Sequence, residues 1–108
     1  MQVRISGQHF DISDRIREHV EGETTKFERF YGPVVDVQVT IRQEGNRFAV
    51  DMIAGVPNQT LKSSGAGDKV YPAIDAAAEK MVRQLKKLHD KRLGHRPDSA
   101  EPPLAAKE

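Results

Sequence analysis

The chain has 108 residues, 37% of them hydrophobic and 31% charged, a size and balance that fit one small domain with a single core and a large solvated surface. It contains no cysteine, which excludes a disulfide framework and thiolate metal sites and suits a reducing, cytoplasmic setting. The formal net charge of +1 leaves a nucleic-acid partner open, because the arrangement of charge outweighs its sum, and the absence of any long apolar run leads us to expect a soluble chain with no signal peptide or membrane span.

Val3 and Ile5 alternate with Gln2, Arg4 and Ser6 before Gly7, the period-2 pattern of a short strand with one buried face. Ser13 is placed to cap the following helix, with Asp14 in its first turn and Ile12 as a staple residue. On that helix Ile16, Val20, Phe27 and Phe30 share one stripe, although Glu23 projects near it and Gly22 weakens its middle. Gly32-Pro33 ends the helix, since proline cannot continue the hydrogen-bond ladder.

Val35, Val37, Val39 and Ile41 then alternate with polar residues in the clearest strand of the chain. A Glu44-Gly45-Asn46 turn joins it to a hairpin partner in which Phe48, Val50, Met52 and Ala54 alternate with Arg47, Ala49, Asp51 and Ile53. A turn over Gly55 to Asn58 leads to a short strand at Thr60 to Ser64. Ser64 to Asp68 reads as a flexible corner ending in an N-cap, and a long helix follows from Lys69 to about Leu93 with Ile74, Ala77, Ala78, Met81, Leu85 and Leu88 on its apolar face. Gly94 reads as its stop, and the proline-rich residues beyond as a disordered tail. The expected architecture is α+β, in the order β-α-β-β-β-α: a four-stranded sheet with two helices packed on one face, a domain of residues 1–93 and a tail of 94–108.

Convergent reactive groups are not evident. The histidines His9, His19, His89 and His95 are scattered without an i, i+4 pair, so each is expected to be an ordinary solvated residue and no metal or other cofactor is expected. Ser63 to Gly67 lacks the Gly-Lys-Ser/Thr ending of a phosphate-cradling loop. Phe27, Phe30 and Phe48 lie on apolar stripes and are expected in the core, which leaves Phe10, Tyr31 and Tyr71 unassigned and single-strand base stacking unsupported. We therefore expect no catalysis and no small-molecule substrate.

Charge is concentrated late in the chain. Between positions 80 and 92, six cations face Asp90 alone, a local excess of +5. At about 100° per residue, Lys80, Lys87 and Lys91 stack on one flank of the apolar stripe with Arg83 beside them, while Lys86 projects from the other side. On the first helix the same projection gathers Arg15, His19, Lys26 and Arg29 on one flank, with Glu21 and Glu28 opposite. Two helices running the same way would set one cationic flank beside the groove between them and the other on an outer shoulder. Such a surface suits a phosphate backbone read by shape, with salt-sensitive binding, although lysine-rich helix faces are also common solvated surfaces.

The opening MQVRISGQHFDIS, the segment KFERFYGPVVDVQVTI and above all GAGDKVYPAIDAAAEKMVRQLKKLHDK resemble the ribosome hibernation promoting factor family, also called ribosome-associated inhibitor or sigma-54 modulation proteins. Asp68, Tyr71, Ala73, Ile74 and Asp75, followed by Arg83, Gln84 and Leu85, look like that family's second-helix signature. The resemblance implies a domain similar to double-stranded RNA-binding domains, lodged between head and body of the small ribosomal subunit where messenger and transfer RNA bind. It implies that translation is inhibited and idle ribosomes are preserved. The contacts would fall on Lys26, Arg29, Lys80, Arg83, Lys86, Lys87 and Lys91. Two features depart from the family's pattern: the acid at Glu18, Glu21 and Glu23, and a short proline-rich tail. Residues 93–108 are too few for the second, dimerising domain of the family's long form, so the expected partners are the small subunit and the whole ribosome, with a ribosome modulation factor where ribosomes pair. Off the ribosome the chain is expected to be a monomer. The alternatives are an inhibitor acting on single ribosomes, a general RNA-binding or chaperone-like module, and a protein-binding regulator of transcription.

Overall fold

Alternation places β2 (Asp36–Glu44) inside the sheet: Val37, Val39 and Ile41 are buried on one face while Gln38, Thr40 and Arg42 occupy the other. The computed structural model of the protein describes residues 1–92. It pairs β2 in parallel with β1 (Gln2–Gln8) and antiparallel with β3 (Arg47–Val56), and β3 antiparallel with β4 (Gln59–Gly67), in the spatial order β1-β2-β3-β4. The β2–β3 hairpin closes with a two-residue loop in which Gly45 alone takes a positive φ of 63°, the backbone that glycine adopts without steric cost. At the β3–β4 turn Asn58 takes this role with φ 73°.

Between β1 and β2 lie α1 (Asp14–Thr25) and the single turn α2 (Phe27–Phe30), and α3 (Val70–Arg92) follows β4. The core forms where Ile16, Val20 and Phe27 meet Ile74, Met81 and Leu85 over Val39, Ile41, Val50 and Met52. Both helical segments therefore cover one face of the sheet, as expected. Ser13 does cap α1, accepting the Ile16 amide at 3.2 Å. Removing that hydroxyl in Ser13→Ala is expected to cost about 1 kcal/mol, read as a lower urea midpoint at unchanged slope.

Four sequence expectations need correction. The first helix is not continuous to Phe30. Its ladder tightens where the Thr24 and Thr25 hydroxyls donate back to the Glu21 carbonyl (3.3 and 2.6 Å) and the Lys26 amide reaches the Glu23 carbonyl, and α2 restarts at the buried Phe27. Val35 is 63% exposed, because regular pairing begins one residue later, and Val34 enters the core in its place at 4%.

The fourth strand runs from Gln59 to Gly67 rather than from Thr60 to Ser64, so the preceding turn shrinks to Pro57-Asn58 and the supposed flexible corner is regular sheet. The reason is packing. A β-carbon on Gly65 would stand 2.7 Å from the Ala77 amide nitrogen and 2.9 Å from the Ala76 side chain, so glycine lets α3 lie directly on β4. Ser63 Oγ to the Ala77 carbonyl (2.8 Å) and Gln84 Nε2 to the Lys62 carbonyl (2.6 Å) tie the same two elements together. Last, α3 begins at Val70, and the Asp68 carboxylate pairs with Arg47 at 3.0 Å instead of serving as the expected cap. The expected helix end at Leu93 and Gly94 and the tail of 94–108 lie outside the described residues.

Candidate nucleic-acid interface

The two flanks of α3 face different neighbours, and two side-chain contacts fix which is which. Gln84 bonds the backbone of β4, so the flank that carries it is the outer shoulder above the sheet edge. Asp75 and Lys86 mark the opposite flank: Asp75 Oδ1 lies 2.7 Å from His19 Nε2 of α1, and Lys86 Nζ sits 5.1 Å from the centre of the Phe30 ring of α2. At about 100° per residue, Lys80, Lys87 and Lys91 project on Gln84's side and Arg83 along the crest. All four are exposed.

The seven expected site residues thus fall into two groups and a bridge. On the groove side, Lys86 is steadied by the face of Phe30 of α2 and Lys26 pairs with Glu23, while Arg29 is exposed on α2. Lys80, Lys87 and Lys91 line the shoulder. Arg83 stands between them, 3.7 Å from Glu79 one turn back. Lys26 is likewise engaged, at 3.5 Å from Glu23. Exposed pairs of this kind contribute little and exchange readily for a phosphate oxygen. Of the acids here, Glu28 of α2 takes the amino terminus of Met1 at 3.4 Å, whereas Glu23 of α1 faces Asp75 of α3.

One cation escaped the sequence reading. Lys69, exposed just before α3, continues the shoulder row downward, and extending the projection Lys87 to Lys80 by a further eleven residues would have found it. The expectation that every histidine is an ordinary solvated residue fails at His19. It is half-buried between the helices, paired with Asp75 and edge-on to Tyr71 at 5.0 Å. Glu23, which interrupts the apolar stripe, belongs to the same place: single donor atoms of His19, Glu23 and Asp75 lie within 4.8 Å of one another. Of the aromatic residues, Phe27 and Tyr31 are buried, Phe10 packs edge-to-face on Phe48 at 5.5 Å, and Tyr71 is 38% exposed. Among the described residues no helix is long and apolar enough to cross a membrane.

Fold and surface together define a small β-α-β-β-β-α domain that presents cations along the solvent side of its helices. The chain belongs to the Sigma 54 modulation protein / S30EA ribosomal protein family, whose model matches residues 3–93. The ribosome hibernation promoting factor of Pseudomonas putida is 33% identical over 91 residues, 84% of this chain and 89% of that protein. The ribosome-associated factor Y of Haemophilus influenzae is 32% identical over 98 residues, 91% and 92% of the two chains. The fold matches the crystal structure of the Thermus thermophilus Protein Y N-terminal domain with a TM-score of 0.77 at 21% identity, over 82% of this chain and 99% of that one. The family resemblance carried by the opening strand and the second-helix signature is therefore borne out.

Proposed function

We propose that this chain is a cytoplasmic ribosome hibernation factor that occupies the messenger and transfer RNA channel of the small subunit and so inhibits translation while preserving the idle particle. The observation that carries the reading is the disposition of cations on both sides of α3, groove and shoulder, in a chain whose relatives are named for ribosome hibernation. Two rows of cations on one helix, with Arg83 on the crest, can engage two phosphate tracks at once, the kind of contact by which double-stranded RNA is read through its shape. Inhibition is steric. Lys26, Arg29, Lys80, Arg83, Lys86, Lys87 and Lys91 hold ribosomal RNA, and neither nucleotide hydrolysis nor a bond-making step is required. Pairing of dormant ribosomes is assigned to a separate modulation factor acting with this chain.

Co-sedimentation with purified small subunits and whole ribosomes tests the reading. Binding is expected at low salt, is expected to weaken steeply at moderate salt, and is expected to be excluded by prebound transfer RNA. Equal binding to free duplex RNA and to subunits would favour a general RNA-binding module instead, and no binding at low salt would overturn the ribosomal assignment.

A further inference from the structure

We propose that His19, Glu23 and Asp75 form a binding site for a divalent transition-metal ion of the Zn²⁺ type, clipping α1 to α3. His19 and Glu23 are four residues apart on one helix and so share a face. Asp75 reaches them from the first turns of α3, and one donor atom from each residue lies within 4.8 Å of the other two. Donors around a tetrahedral Zn²⁺ at about 2.1 Å stand roughly 3.4 Å apart, so small side-chain rotations close the set. Asp75, with a side chain 53% exposed, is free to make them.

Charge and burial point the same way. Glu23 is a carboxylate only 22% exposed in its side chain, set beside an apolar stripe and facing a second carboxylate across the helix seam. Its present partner, Lys26 at 3.5 Å, is 51% exposed and can swing into solvent. A divalent ion neutralises both carboxylates at once, and water supplies the fourth position. One imidazole with two carboxylates favours zinc-like ions over Ca²⁺ or Mg²⁺, which call for six or more oxygen ligands or retained waters. The Tyr71 ring, edge-on at 75°, holds the imidazole so that Nε2 points at Asp75.

The site is tested without ribosomes, so its outcome does not depend on the proposed function. The full chain, stripped by a chelator, is melted with and without Zn²⁺. At a free concentration one hundred times the Kd, Tm is expected to rise by roughly 10 °C. Glu23→Gln and Asp75→Asn are expected to melt within a few degrees of the parent without metal and to lose most of that rise. Co²⁺, used as a spectroscopic substitute, is expected to develop visible absorption that His19→Gln abolishes. Overturning results are an unchanged Tm in the parent, or a rise of equal size in parent and variants, which would locate the ion at other side chains.

Discussion

Reversing two charges in the double variant Lys87→Glu/Lys91→Glu is expected to weaken binding to small ribosomal subunits by roughly a hundredfold near 0.1 M salt, about a factor of ten for each phosphate contact turned repulsive. Both lysines are exposed and neither is held in an ion pair or ring contact found among the described residues, so the folded domain loses no contact by the change. The slope of log affinity against log salt is expected to flatten by about 2, one for each phosphate no longer neutralised. Arg4→Glu is the matched control. Arg4 is exposed on β1, where Val3 and Ile5 point to the core, so it faces away from the helices. Its reversal is expected to leave affinity within about twofold, since a face pointing away from the RNA feels the phosphates only through screened long-range terms. Equal losses in the two variants would mean that net charge, and not the α3 shoulder, governs binding.

Within the cationic surface the residues are not equivalent. Arg83 must leave Glu79, and Lys26 must leave Glu23, before either meets a phosphate, so each offers its charge less that exchange. Lys86 is steadied over Phe30 and arrives with fewer rotamers to lose. The shoulder lysines carry neither cost nor assistance, which is why their reversal gives the cleanest measure of RNA contact.

Local periodicity made most of this legible in advance. β2 and β3 follow from strict alternation, and the flanks of α3 from a rotation of about 100° per residue, because both patterns are set within a few residues of chain. The failures share a cause. Ser64 to Asp68 reads as a corner because glycine and serine usually mark turns, yet at Gly65 glycine is present for what it lacks, a side chain in the path of α3. The break after Thr25 depends on hydroxyls turned back to the Glu21 carbonyl, a local competition that the apolar stripe does not register. His19 and Asp75 are 56 positions apart, so no spacing rule within one helix brings them together. Glu23 looked anomalous for the same reason: what it faces belongs to α3.

The contact of α3 with β4 holds the shoulder in place, and Gly65 is the position where it is most exposed to damage. Gly65→Val puts branched carbon against the Ala73 carbonyl, the Ala77 amide nitrogen and the Ala76 side chain. Most of these atoms are backbone and cannot rotate aside, so the helix itself must lift from the strand. Lifting it also strains the Ser63 and Gln84 hydrogen bonds. A loss of about 3 kcal/mol is expected, or more than 10 °C in Tm for a domain of this size. Gly22→Ala should act with the opposite sign. It lies within α1 with nothing within 4 Å of an added β-carbon, so replacing it is expected to stabilise by roughly 0.5 to 1 kcal/mol through helix propensity alone. The two variants measured side by side by urea unfolding separate a glycine kept for close approach from one that carries only an entropic cost. A Gly65→Val protein as stable as the parent would show that α3 does not rest on β4 as described.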